Sequence, residues 1–181
     1  LPLRTVGQQT LEGPDRTISV DDRQAFIDDV RDALWSAKVV AYAQGLDEIR
    51  TAAVEYDWEV DMGQVASIWR DGCIIRARLL QRIKDEYAAG DLTTLLEAPS
   101  VKAELARCQQ AWRRVVARAV EAGVPVPGFS SALGYYDQVR APRLNAALTQ
   151  GLRDLFGAHT YRRVDDEGSW HVNWSGDGRE V

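Results

Sequence analysis

The sequence has 181 residues, 45% of them hydrophobic, and a formal net charge of -5 at pH 7. The apolar fraction is sufficient for a folded core, whereas the acidic balance argues against a large nucleic-acid surface, because binding to phosphate backbones requires clustered positive charge. No apolar run approaches the roughly 20 residues of a membrane helix, and the amino terminus lacks a signal-peptide pattern, so we expect a cytoplasmic protein that binds no membrane.

The first stretch of the chain, residues 1–18, shows neither a helical nor a strand pattern. We interpret it as a linker that follows an upstream part of a longer protein. Ser19 and Asp22, three residues apart, then resemble a capping box at the start of a helix. After them, apolar residues recur at helical spacing: Phe26, Val30, Leu34, Ala37, Ala41, Ile49 and Ala53. This spacing predicts one very long helix over residues 22–56, about 50 Å in length.

The middle of the chain continues with helical spacing. Residues 65–87 predict two helices or one kinked helix, because Gly72 interrupts the pattern. A short helical piece is expected at residues 92–96, and Pro99 begins another long helix that ends at Gly123. This helix carries a narrow apolar stripe: Val101, Leu105, Cys108, Trp112, Val115 and Ala119.

The last helices follow a segment rich in proline. Residues 124–131 cannot continue a helix, because their prolines lack the amide hydrogen and restrict the residues before them. Residues 132–139 and 143–156 both show helical patterns, and Gly157 is expected to stop the second one. From Tyr161 onward the sequence is polar, aromatic and aperiodic. The fold class predicted is therefore all-α, with several helices, one of them very long, and an irregular C-terminal tail.

Cysteines and clustered arginines both favour structural interpretations. Cys73 and Cys108 each lie inside an apolar helical pattern, so two buried thiols are favoured over a disulfide or a pair of metal ligands. Three arginines share one face of a helix with two glutamates nearby; these residues are Arg107, Arg114, Arg118, Glu104 and Glu121. A solvated, paired face is favoured over a nucleic-acid surface.

Both histidines, His159 and His171, lie in the last thirty residues. Arg153 is in the last turn of the final predicted helix, and His159 lies just beyond Gly157. These two cations either complement the partial negative charge of the helix end or form an anion site, in which the guanidinium binds a phosphate or carboxylate through two hydrogen bonds. A metal site is disfavoured, because no third ligand has a familiar spacing.

No catalytic constellation is visible, since the sequence has no glycine-rich phosphate loop after a strand, no HExxH and no GxSxG. The aromatic tail, with Trp170 and Trp174, should dock on a protein surface because burial of each ring is favourable. Composition alone does not say whether that surface belongs to the same chain or to a second subunit.

Four stretches resemble one enzyme family: ALWSAKVVAYAQGLDEIRTAA (33–53), IWRDGCIIRARLLQRIKDEY (68–87), VPVPGFSSALGYYDQVRAPRLNAALTQGLRDLFGAHTYRR (124–163) and WHVNW (170–174). They are similar to the C-terminal all-helical domain of the long, homodimeric 6-phosphogluconate dehydrogenases, over nearly all of the chain from Gly13 onward. The sequence departs from the family pattern at Asp71, where a glycine is usual, at Leu155, where an aromatic is common, and at Val172, where threonine is common.

The resemblance implies an oxidoreductase of the pentose phosphate pathway. Enzymes of this family oxidise 6-phosphogluconate with NADP and decarboxylate the product to ribulose 5-phosphate. It further implies that residues 19–160 form a dimerisation and substrate domain, and that the tail, residues 161–181, docks on the partner subunit. By motif position, Arg153 and His159 would bind the substrate in the partner's active site, with the arginine at the phosphate. For His171 the resemblance implies only tail docking.

The family's catalytic lysine and glutamate and its NADP-binding fingerprint belong to a segment that precedes this domain. We therefore expect no catalytic residue, no cofactor-binding residue and no metal ligand in residues 1–181, and no turnover by this polypeptide alone. The alternative is a non-catalytic helical dimerisation or scaffold module with the same fold.

Overall fold

A computed structural model describes residues 2–72 and 77–181. Within them the chain forms seven α-helices and one short 3-10 helix, and no strand, so the all-α prediction is confirmed. The helices are α1 (Pro2–Thr10), α2 (Arg23–Glu55), α3 (Met62–Gly72), α4 (Arg78–Ala89), α5 (Pro99–Glu121), α6 (Pro127–Arg140) and α7 (Ala146–Gly157), with the 3-10 helix at Leu95–Glu97. The chain divides into two compact units, one that ends at Tyr136 and one from Asp137 to Val181.

The long helix α2 has 33 residues, close to the predicted extent. Its N-cap is Asp22, whose carboxylate accepts a hydrogen bond from the amide of Ala25 at 3.0 Å, so the prediction of Ser19 as the cap was wrong. Asp22 has an extended backbone, which lets its side chain reach the third amide of the helix. The predicted apolar stripe was only partly right, because Leu34 is 57% exposed. Ala37 and Ala53 of the predicted stripe are buried, and Ala33 faces the core in place of Leu34.

The core of the first unit lies between α2 and α5, which pack along their lengths. The predicted stripe of α5 is confirmed, because all six residues from Val101 to Ala119 that define it are buried. Trp112 is fully buried at the centre, and its indole N–H donates to the carbonyl oxygen of Phe129 at 3.2 Å. Helix α4 and the 3-10 helix close this core with Leu80, Ile83 and Leu95.

The arginine face of α5 is paired, as predicted, but its partners were predicted incorrectly. Arg107 and Arg114 bind Asp32 and Asp29 of α2, with closest N–O distances of 2.8 and 2.6 Å. The predicted partner Glu104 instead binds Arg82 of α4 at 2.7 Å. These cross-helix pairs orient the guanidinium groups toward α2, which weakens the interpretation of this face as a nucleic-acid surface.

Arg118, the third arginine of that face, has its guanidinium carbon 5.6 Å from the centre of the Phe26 ring on α2. Cys108 is a buried thiol, as predicted, and burial raises its pKa. The prediction for Cys73 lies outside the described residues. No helix in the described part of the chain is long and apolar enough to cross a membrane.

The structure differs from the predictions in one missed helix, in the start of α6 and in the start of α7, which is Ala146 instead of residue 143. A helix, α1, forms within residues 1–18, where no pattern was found, and none of its residues is buried. Helix α6 starts at Pro127 instead of residue 132, because proline in the first turn has a suitable φ and lacks only an amide that would have no partner there. Helix α7 ends at Gly157, but the left-handed residue after it is Ala158, with φ 52°.

Candidate functional site

The second unit, Asp137–Val181, contains the end of α6, the last helix and the tail that follows it. The tail, residues 161–181, folds on itself through two antiparallel bridges, Tyr161 with Trp170 and Val172 with Glu180. In the first bridge, each amide donates to the other residue's carbonyl oxygen at 2.8 Å. The prediction of an irregular tail is right in that residues 161–181 form no helix and no strand. The prediction did not include the two antiparallel bridges.

A fully buried carboxylate, that of Asp154 on α7, organises this unit. Its Oδ1 accepts from the amide of Thr160 at 3.0 Å and lies 2.9 Å from Nδ1 of His171. Its Oδ2 accepts from the amide of Val172 at 3.0 Å and from the indole N–H of Trp174 at 2.9 Å. Each oxygen thus has two partners, and three of the four partners come from the tail.

Burial alone would raise the pKa of Asp154, because it disfavours the charged form. The hydrogen bonds from Val172, His171, Trp174 and Thr160 outweigh burial and hold the pKa well below its usual range. The group is therefore ionised at neutral pH. A buried, ionised carboxylate with four partners fixes the tail to α7.

The two residues predicted to bind substrate lie at the C-terminal end of α7, and both are exposed. Arg153 donates from Nη1 to Oε1 of Gln150 at 3.1 Å. The imidazole of His159 lies over Gly157, so closely that a Cβ added there would be 3.0 Å from both Cδ2 and Nε2 of the ring. The structure thus leaves a guanidinium and an imidazole accessible at one helix end.

This arrangement can bind an anion. A guanidinium offers several donors in a planar fork that suits phosphate or carboxylate, and an imidazole adds one more donor. No group of three or more potential metal-ligating side chains occurs among residues 2–72 and 77–181. The accessible guanidinium and imidazole give this helix end the donors needed for anion recognition.

Sequence reasoning missed Asp154, the partner of His171. An aspartate in the last turn of a helix is unfavourable next to the helix dipole, and only its contacts with the tail explain its presence there. His171, predicted only to help dock the tail, contacts α7 directly through Asp154. The prediction that the tail aromatics dock is met in part within this chain, because Trp174 binds Asp154 while remaining 47% exposed.

Arg163 further stabilises the tail. Its guanidinium lies 5.2 Å from the centre of the Trp170 ring and binds the carboxylates of Asp165 and Glu180. The hydroxyl group of Tyr161 donates a hydrogen bond to Glu180. This hydrogen bond, together with burial, raises the pKa of Tyr161 to about 12. These contacts hold the segment after His159 in one conformation.

Comparison with known proteins identifies the family. Residues 2–174 match the model of the 6-phosphogluconate dehydrogenase C-terminal domain. The decarboxylating 6-phosphogluconate dehydrogenases of Shigella flexneri and Spinacia oleracea are each 48% identical, over 94% and 90% of this chain. The solved 6-phosphogluconate dehydrogenase of Plasmodium falciparum, studied in its apo form and in complexes with NADP+ and with 6-phosphogluconate, has a TM-score of 0.85 and 34% identity over 96% of this chain.

The chain spans 36% of the Shigella flexneri enzyme, 34% of the Spinacia oleracea enzyme and 38% of the Plasmodium falciparum chain. The similarity therefore concerns one part of those proteins and runs through α7 into the tail. The chain belongs to the family of 6-phosphogluconate dehydrogenase C-terminal domains.

Proposed function

We propose that this chain is the C-terminal part of an enzyme that oxidatively decarboxylates 6-phosphogluconate to ribulose 5-phosphate with NADP. Its own contribution is a dimer interface and two substrate contacts, Arg153 and His159. The observation that carries the proposal is the accessible guanidinium and imidazole at the end of α7 in a chain of this family. We expect the enzyme in the cytoplasm, where a fluorescent fusion would place it.

The substrate contacts follow from the hydrogen-bond donors of the two side chains. Arg153 is always protonated at physiological pH, and its planar fork can bind the phosphate group through two hydrogen bonds. His159 would add a donor to a phosphate or hydroxyl oxygen of the same ligand. Both groups bind and orient the substrate. The chemical steps require residues that this chain does not contain.

We expect NADP to bind outside the described residues. They include no strand followed by a glycine-rich turn and a helix, which is the arrangement that binds dinucleotides. NADP, which accepts the hydride, would bind at a site formed by another part of the protein. The role of this chain is limited to the sugar phosphate.

An apolar surface on α7 supports assembly with a second copy. Leu148 is 73% exposed and Phe156 is 84% exposed, and Leu152 and Leu155 extend the same surface. Asp154, by contrast, is buried against the tail of its own chain. Exposed leucines on such a helix are expected to be covered by another protein surface in the assembled protein. We propose that a second subunit does so, and that α7 and the tail thereby reach the partner's substrate pocket.

Substitution of Arg153 tests this function. In the full-length enzyme, Arg153→Ala should raise the KM for 6-phosphogluconate by at least about tenfold, because loss of a charge-assisted contact to phosphate costs on the order of 2 to 5 kcal/mol. The KM for NADP should stay near normal. Arg31→Ala is the matched control, because Arg31 is an exposed α2 arginine that pairs with Asp28 on its own helix. An unchanged KM for 6-phosphogluconate in Arg153→Ala would favour a dimerisation module without a substrate contact.

A further inference from the structure

Arg153 and the segment that carries His159 are joined through a single side chain, that of Gln150. Its Oε1 accepts from Nη1 of Arg153 at 3.1 Å. Its Nε2 donates to the carbonyl oxygen of Thr160, the residue directly after His159, at 2.6 Å. One amide group therefore contacts the guanidinium on one side and the backbone next to the imidazole on the other.

The backbone around His159 needs such support. Ala158 and Thr160, on either side of it, both have positive φ, 52° and 59°, a region that residues other than glycine seldom adopt. Such a conformation persists only where surrounding contacts hold it. The amide of Ala158 donates to the carbonyl oxygen of Asp154 at 2.9 Å, and the amide of Thr160 donates to its carboxylate. Gln150 supplies the hydrogen bond to the Thr160 carbonyl group.

The position of Gln150 on α7 suits this function. It lies one helical turn before Arg153, so the two side chains share one face of the helix. An arginine side chain loses much rotational freedom when it binds a ligand, and a partner that restricts it beforehand reduces that loss. The amide of Gln150 is half-buried, whereas the guanidinium remains accessible.

We propose that Gln150 is a positioning residue, whose amide holds Arg153 and His159 in the arrangement that binds the phosphorylated substrate. This inference rests on the proposed function, because it assigns Gln150 a role only through those two substrate contacts. Gln150 does not itself touch the substrate. It acts on the geometry of the residues that do.

The test uses Gln150→Met in the full-length dimeric enzyme. Methionine matches the length of glutamine and tolerates a half-buried site, but it has no amide to donate or accept. The KM for 6-phosphogluconate should rise about fivefold, as expected for the loss of one or two hydrogen bonds. The KM for NADP and the sedimentation of the dimer should stay unchanged. Gln109→Met is the matched control, because half-buried Gln109 also accepts from an arginine on its own helix, Arg113, at 2.9 Å.

A double-mutant cycle separates positioning from general damage. If Gln150 acts through Arg153 and His159, then Gln150→Met should change the KM by less than about twofold in a background that carries both Arg153→Ala and His159→Ala. An equally large effect in both backgrounds would overturn the inference, as would a raised KM for NADP or a dissociated dimer. If Arg153→Ala raises the KM and Gln150→Met does not, the inference fails while the proposed function stands. If Arg153→Ala has no effect, the proposed function fails, and this inference fails with it.

Discussion

The carboxylate of Asp154 on α7 lies 2.9 Å from Nδ1 of His171, across 17 residues of sequence. The same carboxylate accepts hydrogen bonds from Val172 and Trp174, so the docking of the tail on α7 depends on one buried charged group. Asp154 is next to Arg153 in the sequence, and the loop that it holds contains His159. The exposed side chains of Arg153 and His159 and the buried carboxylate therefore belong to one structural unit.

Replacement of Asp154 should release the tail without unfolding the first unit. Asp154→Asn keeps the shape of the side chain but places an NH2 group against neighbours that are themselves donors. Hydrogen exchange at the amides of Thr160 and Val172 should accelerate by about tenfold or more, because a buried donor that loses its acceptor opens more readily. Amides of α2 and α5 should keep their protection.

Asp166→Asn is the control for that experiment, since exposed Asp166 accepts only from the adjacent amide of Glu167, at 2.9 Å. Equal exchange rates in the wild-type chain and Asp154→Asn would show that the buried carboxylate does not hold the tail.

Acid should undock the tail. The pKa of Asp154 is lowered from its ordinary value of 3.8 when the tail is docked, so the undocked form takes up a proton more readily. The stabilisation by Asp154 is thus complete well above pH 3.8 and decreases as the pH falls through and below that value. The indole N–H resonance of Trp174 in an NMR titration reports docking, and that of Trp112, bound to Phe129 in the first unit, is the internal reference.

In this titration, the Trp174 signal of the wild-type chain should change at a higher pH than the Trp112 signal. Asp154→Asn should remove most of that separate acid transition. Tail docking that strengthens on acidification would contradict the assigned ionisation of Asp154.

Addition of a methyl group at Gly157 should disturb His159 while leaving the fold intact. A Cβ at this position would lie 3.0 Å from Cδ2 and Nε2 of the imidazole, and the ring can move away because it is the free end of an exposed side chain. Gly157→Ala should therefore not lower the Tm, since alanine favours the helix, but it should raise the KM for 6-phosphogluconate in the full-length enzyme. Gly151→Ala is the control, because nothing lies within 4 Å of its added Cβ. An unaltered KM would mean that the ring position seen here is not the one that binds substrate.

The core of the first unit should depend strongly on Trp112. Its side chain, on α5, is fully buried, lies against the ring of Tyr136 on α6 and donates to the carbonyl oxygen of Phe129. Trp112→Ala should lower the free energy of unfolding by about 3–5 kcal/mol, measured by chemical denaturation. Trp58→Ala, at a tryptophan that is 57% exposed, should change it by only about 0.5 kcal/mol. Similar losses for the two variants would contradict the assignment of the core.

Helix α5 could be predicted from the sequence because large apolar side chains mark one of its faces. Val101, Leu105 and Trp112 are unambiguous in this respect, and all are buried. The buried face of α2 was harder to define, since small residues such as Ala33 and Ser36 contact the core while Leu34 does not. The spacing of large apolar residues does not identify the buried face of a helix where close packing requires small side chains.

The candidate site was found through family resemblance, whereas its supporting contacts could not be found in the sequence. Hydrogen bonds from Thr160, His171 and Trp174 converge on Asp154 over separations of 6 to 20 residues, with no repeating pattern. Nothing in the spacing identifies a buried aspartate there. Gln150 is equally inconspicuous, since a glutamine within a helix usually faces solvent.

The central claim is that Arg153 and His159 complete the substrate pocket of a partner subunit, and mixed dimers test it most directly. Arg153→Ala subunits would be combined with subunits that carry intact Arg153 but are inactivated in the NADP-binding part of the protein. In a mixed dimer, the intact arginine of the second subunit would complete the pocket of the first. Random mixing should therefore restore about one quarter of wild-type activity at low substrate concentration, because half of the dimers are mixed and each has one complete site. Activity no higher than that of the separate variants would show that Arg153 serves its own subunit and would contradict the account.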